Sequence, residues 1–199
     1  GGSGDITIGT AGGNRDDIHY TSENSLTFLA HGKINVNSNV LNHQDNSGTS
    51  TGHINLVAGW DGTLPAGGTG AAPTDSSTNL SFAEVSALGW GAADGDVLIN
   101  QAGNQEVSVG SRAGETNVLG DNVLLTATGS LEFSHIGYRN HNLTTYTGYH
   151  SSGDINVRGR NTIALLTNTH TNGLRDAHAM IGHGGSINRL VSNLHDNGS

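Results

Sequence analysis

Apolar positions along this chain come in short alternating runs, Ile-x-Ile, Leu-x-Phe and Val-x-Val, bounded by Gly, Asn or Asp. Successive side chains of a strand point to opposite faces, so each run reads as a strand with one buried face, and its flanks read as turns. The stretch from Gly120 to Asn140 holds a complete unit of this kind. Val123 and Leu125 point one way, and Leu124 and Thr126 the other. Gly129 closes a turn, and Leu131 with Phe133 restart the alternation eight residues after Val123. The same offset of eight separates Leu26 from Ile34 and Ile155 from Ile163. No window carries the stripe of an amphipathic helix, and Leu80 to Trp90 is the one stretch where a short helix is expected.

The first inward residues of successive units are Ile6, Leu26, Ile54, Val97, Val123, Ile155 and, in a partial seventh, Ile187, with separations of 20, 28, 43, 26, 32 and 32 residues. Related pentads introduce five of them: GDITI at Gly4, GHINL at Gly52, GDVLI at Gly95, GDNVL at Gly120 and GDINV at Gly153. Repetition on this scale predicts a solenoid, in which no unit buries its apolar edge alone. Leu and Asn do not recur in the register that a leucine-rich repeat needs, whereas a parallel β-helix tolerates insertions at its corners. The expected fold is all-β, a parallel β-helix of about six to seven coils forming one domain over residues 1–199. Coils would rise about 4.8 Å each. Ile6, Leu26, Ile54, Val97, Val123 and Ile155 would stack as one column, and Ile34, Val107, Leu131 and Ile163 as a second. Asn156 would face outward and tolerate substitution.

Loop insertions are expected near 59–79, which holds both prolines, near 137–153, and near 168–178. With 31 Gly and only 13% charged residues, the composition disfavours helices. A net charge of −9 gives no footprint for nucleic acid. There is no Cys, so neither a disulfide framework nor a thiolate site is available, and no apolar run is long enough to insert in a membrane as a helix. A chain opening GGSGDITIG without Met reads as a segment of something longer. The first coil already has the full core pattern, and GGSINRLVSNLHDNGS at the far end reads as the start of another coil. The expected partner at both ends is therefore more of the same, by covalent continuation of the rod or by end-to-end stacking of copies.

Candidate chemistry is sparse. Asp5, Asp96, Asp121 and Asp154 each follow Gly at a unit start, and their shared position points to turn chemistry, with the carboxylate accepting backbone N–H groups. In consecutive coils Asp96, Asp121 and Asp154 would stand about 4.8 Å apart, with turn amides offsetting the repulsion. The eleven His are scattered without an i, i+2 pair on a strand, and His135 and His183, beside the two Ile-Gly-Tyr/His motifs, read as turn hydrogen-bonders. GGSGDITIG departs from the calcium-binding nonapeptide in the place of its Asp and does not recur in tandem. No metal or cofactor is expected. Trp60, Trp90, Tyr138, Tyr146 and Tyr149 are the candidates for a surface binding platform, against the alternative that loops carrying them pack onto the rod. Sequons at Asn79, Asn142 and Asn197 are what so Asn-rich a chain makes by chance.

The GDI and GHI starts, SLTFLAHGKINVNSNV followed by GHINLVAGWDG, and above all SHIGYRN and AMIGHGG resemble the shaft repeats of filamentous haemagglutinin-type exoproteins, the adhesins exported by two-partner secretion in Gram-negative bacteria. The resemblance covers nearly the whole chain. It implies a right-handed β-helix, passage through an outer-membrane secretion partner, an extracellular or cell-surface location, and a cell-surface or glycan receptor. The family's NPNG-type export motif is missing, so the resemblance is to shaft. It implies no catalytic residue and hence no enzyme. The alternative from another class is a carbohydrate-active β-helix enzyme of the polysaccharide lyase or hydrolase kind, which clusters Asp with Arg or Lys on one outer face.

Overall fold

The alternating runs form strands wherever the chain is described. The computed structural model describes residues 4–10, 17–43, 51–62, 82–90, 94–103, 106–129, 132–138, 151–167 and 177–183. In chain order the elements are β1 (Ile6–Ile8), β2 (Ile18–Tyr20), β3 (Leu26–Ala30), β4 (Ile34–Val36), β5 (Val40–Asn42), β6 (Ile54–Ala58), α1 (Phe82–Ser86), β7 (Val97–Ile99), β8 (Glu106–Ser111), β9 (Thr116–Ala127), β10 (Phe133–Ile136), β11 (Ile155–Thr167) and β12 (His178–Ile181). The short helix falls in the stretch expected to hold one. Tyr146, Tyr149 and most of the three predicted insertions lie outside the described residues.

Among the described residues every strand pairing is parallel, and the pairings make three ladders. On the first, β3, β6 and the leading halves of β9 and β11 align Leu26, Ile54, Thr116 and Ile155. On the second, β1, β4, β7 and the trailing halves of β9 and β11 align Ile6, Ile34, Val97, Val123 and Ile163, with Ile8, Val36, Ile99, Leu125 and Leu165 two residues on. On the third, β2, β5, β8, β10 and β12 align Ile18, Val40, Val109, Ile136 and Ile181. The chain visits first, second and third ladder in turn and returns to the first, which is the connectivity of an all-β solenoid. The inward columns of all three ladders meet in one apolar cluster.

The predicted columns need correction. Leu26, Ile54 and Ile155 belong to the first ladder, but Ile6, Val97 and Val123 belong to the second, together with Ile34 and Ile163 from the other predicted column. Val107 lies on the third ladder, and Leu131 lies outside the described residues. The Gly-Asp/His pentad marks a corner, and corners of the same chemistry precede two different ladders. Counting pentads therefore counted strands of two ladders as though they were one.

Corner glycines are demanded by backbone proximity. Gly52, Gly114 and Gly153 stack where the chain enters the first ladder, and a Cβ on Gly153 would overlap the carbonyl oxygen of Gly114, while one on Gly114 would overlap that of Gly52. Gly110, Gly137 and Gly182 stack in the same way at the exit of the third ladder, which is the physical content of the Ile-Gly motif. Polar side chains seal these corners. Asn42 donates through Nδ2 to the carbonyls of Ser22 and Gly52 at 2.9 and 2.8 Å, and Ser111 donates to the carbonyl of Gly52 at 2.7 Å.

The outer side of the first ladder is also buried. One outward column is an amide ladder: Asn55 Nδ2 donates to Thr27 Oγ1, Asn117 Nδ2 to Asn55 Oδ1 and Asn156 Nδ2 to Asn117 Oδ1, each at 2.9 Å. Each rung donates to the one before it, so buried amides satisfy one another in a single direction. Asn156 is thus committed to a rung, contrary to its predicted freedom. The neighbouring outward column is Leu29, Val57, Leu119 and Arg158. Helix α1 and the turn after it lie over this column, packing Val85 and Leu88 against Val57 and Leu119. Glu115 Oε2 accepts the Phe82 N–H that opens the helix at 2.7 Å, and the Arg158 guanidinium stands 4.8 Å from the Phe82 ring centroid.

Candidate functional site

The aromatic candidates divide between two sides of the stack. Trp60 and Trp90 are partly buried against the α1 cluster on the first ladder, so packing onto the rod accounts for most of their surface. Trp60 is further fixed by His31, whose ring stacks on the indole at 5.3 Å and whose Nδ1 lies 2.6 Å from the Trp60 carbonyl. Tyr138 lies at the exit of the third ladder, only 4% exposed. The platform imagined from the sequence is therefore not one surface among the described residues.

Around Tyr138 the fold gathers residues that sequence reasoning passed over. Its hydroxyl is 2.9 Å from His43 Nδ1, the two rings are edge-to-face at 5.6 Å, and His43 is in turn 4.7 Å from the ring of His19. His19 Nε2 lies 3.9 Å from Asp17 Oδ2, and Asp17 receives both the backbone N–H and the side-chain amide of Asn39 at 2.9 and 3.0 Å. Burial raises the Tyr138 phenol above the ordinary tyrosine value, opposed by the nearby Arg112 guanidinium. The result is a polar chain from a buried phenol outward to an exposed imidazole. It is suited to holding ring orientations, and it presents His19 and Asp17 to a hydrogen-bonding ligand. Tyr138 and His43 are 95 residues apart, and no local pattern joins them.

His183 explains the second Ile-Gly motif. Its Nδ1 accepts the Tyr138 N–H at 3.2 Å and its Nε2 meets the Gly153 carbonyl at 2.5 Å, so one ring clamps the third-ladder exit to the next first-ladder entry. His135 Nε2 likewise meets the Gly182 carbonyl. Both are turn hydrogen-bonders, as the sequence suggested.

The aspartates do not form one column. Asp5 Oδ1 accepts the Lys33 N–H at 2.7 Å, Asp96 Oδ1 accepts from Asn122 at 2.7 Å, and Asp121 Oδ2 accepts from Asn161 at 3.0 Å. Those corners precede the second ladder, where Lys33 Nζ also approaches Asp96 Oδ2 at 3.4 Å. Asp154 precedes the first ladder, in register with Glu115. The expected stack of Asp96, Asp121 and Asp154 is therefore broken up, and amide N–H groups hold the carboxylates of Asp5, from the backbone, and of Asp96 and Asp121, from side chains. Among the described residues no group of three His, Asp or Glu is placed to hold a metal ion, and no helix is long and apolar enough to cross a membrane. No family model, no curated protein and no solved structure matches this chain.

Proposed function

We propose that the chain is a structural rod segment of a bacterial filamentous adhesin or surface fibre, wound as a right-handed parallel β-helix and displayed outside the cell after passage through an outer-membrane secretion partner. The observation that carries this reading is that polar side chains on the ladders and corners are spent on stacking one rung on the next: the Asn55–Asn117–Asn156 ladder, the Asp5, Asp96 and Asp121 corners and the His183 clamp. Such economy suits a scaffold whose work is length and rigidity. Receptor or glycan contact is then a property of outer surfaces, with the partly exposed Trp60 and Trp90 the aromatic candidates and His19 with Asp17 a polar one, whereas Tyr138 is buried. A carbohydrate-active enzyme would need carboxylates and bases converging on one outer face. The aspartates sit at two corners, and Asp5, Asp96 and Asp121 are already bonded, so that reading has less support.

The test is immunogold electron microscopy of intact source cells with antibody raised against the chain. Labelled filaments projecting from the surface are expected, and label confined to the cell interior would overturn the proposal.

A further inference from the structure

Helix α1 is a single turn. The Ala87 N–H is shared between the Ala83 and Glu84 carbonyls at 3.2 and 3.1 Å, and the Leu88 N–H meets the Val85 carbonyl at 3.2 Å. So short a helix does not hold in water alone, because its nucleus fixes more dihedrals than its few hydrogen bonds return. α1 is helical because it is docked. Its dock is separate from the interior of the coil: Val85 and Leu88 pack with Val57 and Leu119 in a cluster that, among the described residues, shares no member with the apolar core enclosed by the three ladders. Val57 and Leu119 face outward from β6 and β9, next to Leu56 and Val118, which point inward and line that core. The hydrogen bonds that wind these strands run from rung to rung and not through α1.

Polar groups tie both ends of this segment to the stack. At its start Glu115 Oε2 accepts the Phe82 N–H at 2.7 Å and the Arg158 guanidinium stands 4.8 Å from the Phe82 ring centroid; at its far end the Asp61 N–H donates to the Gly89 carbonyl at 3.1 Å. Glu115 itself is fixed to the rod. Its carbonyl accepts the Ile54 N–H at 2.9 Å, and its Oε2 also accepts from Asn117 Nδ2 at 3.1 Å, with His53 Nδ1 3.4 Å away. One group works against docking: Ser86 Oγ is buried with no hydrogen-bond partner among the described residues. Closing α1 onto the ladder strips water from that hydroxyl and returns nothing to it.

We propose that residues 82–90 are a strap that opens and closes as one unit over the first ladder, latched by the Glu115 carboxylate and opposed by the Ser86 hydroxyl, while the ladders beneath stay wound. Closed, the strap covers Val57 and Leu119. Open, it bares them together with Leu29 and Trp60, the partly buried residues of the same cluster on the rod side. The inference stands independently of the adhesin reading.

Both tryptophans of the chain belong to this cluster, so their emission reads the strap directly. Val85→Asp sets a carboxylate in the closed cluster and should hold the strap open: the emission moves to the red as the indoles meet water, while the far-ultraviolet dichroism of the strands and a cooperative urea transition remain. Loss of the strand signal together with the emission shift would make α1 part of the core and overturn the proposal, as would an emission that does not move. Hydrogen exchange of the unaltered chain gives a reading that needs no variant. The amides of Ala87 and Leu88 should exchange about a hundredfold faster than those of Leu56 and Val118, at a rate insensitive to low urea, because local opening exposes little surface. Ser86→Ala should slow that exchange about tenfold by removing the unpaired hydroxyl, and Phe82→Pro, which removes both the latched N–H and the ring beside Arg158 where proline suits a helix start, should speed it about tenfold. Exchange of Ala87 and Leu88 only in step with the ladders, or a rate that neither substitution moves, would overturn it.

Discussion

Val123 and Ile163 are register partners on adjacent strands, yet Val123 is fully buried and Ile163 is 44% exposed. Leu125 and Leu165, the next pair inward, differ in the same way, 0% against 45%. The side chains are alike in size and character and occupy equivalent positions in their repeats, so the difference belongs to their neighbours. Among the described residues β9 has β6 and β7 on one side and β11 on the other, whereas β11 has β9 only. In a solenoid a residue is buried by the level above and the level below, and most of the stabilising free energy resides in those interfaces. Burial of a side chain of this kind contributes about 1.5–3 kcal/mol when complete, and the last level realises only part of that.

The contrast can be broken most severely at Val123. Val123→Asp places a carboxylate with no partner in the shared core and should cost about 3–5 kcal/mol, whereas Ile163→Asp, with water at hand, should cost about 1 kcal/mol. Denaturant midpoints read the difference, and equal losses would refute the assigned register. The amide ladder gives a second comparison. Asn117→Ala removes the bonds that Asn117 makes to both Asn55 Oδ1 and Asn156 Nδ2 and should cost about 2–4 kcal/mol, against about 1 kcal/mol for Asn156→Asp, which loses one donor at a partly exposed rung. Gly114→Ala should cost about 1–3 kcal/mol, because the new methyl group meets the Thr51 and Gly52 carbonyls of the level below. A thermal melt of that variant matching the parent would mean that the corner backbones do not touch.

The smallest effect is one of pH. Burial raises the phenol pKa of Tyr20, a side chain packed against the core, as it does for Tyr138. A raised folded pKa means that the unfolded chain loses its proton first, so stability is fully present below the ordinary tyrosine value of about 10 and is lost as pH rises beyond it. Tyr20→Phe should flatten that alkaline decline in a urea-titration series across pH 9 to 12. An unchanged slope would show that Tyr20 does not contribute to it.

Much of the scaffold was legible along the chain. Alternation located the strands, and the stretch from Leu80 to Trp90 held the helix because Phe82, Val85 and Leu88 interrupt a run of turn-formers with apolar residues about three apart. The turn roles of His135 and His183 were legible as well, since each sits beside an Ile-Gly corner. Which ladder a strand joins was not. GDVLI at Gly95 and GDINV at Gly153 read alike, but one opens a strand on the second ladder and the other on the first, because alternation has a period of two and carries no label for the face of the coil. The outer burial of Leu29, Val57 and Leu119 was hidden for a related reason: LTFLA and INLVA are apolar on both faces, and only the return of α1 across the first ladder says what covers the second.

The sequence by itself determined that this chain is β-rich, repetitive and turned by Gly and Asp, because those properties depend on residues within a few positions of one another. The tertiary structure decided everything that depends on winding. It put Asp96 beside Asn122 and Lys33 rather than above Asp154, joined Asn55 to Asn117 and Asn156, and brought Tyr138 to His43 across 95 residues. Insertions of unequal length between rungs erase any fixed sequence spacing, while the hydrogen-bonded distance between rungs stays near 4.8 Å whatever the length of the loop, so neighbours in space are set by the ladders and not by the count of residues between them.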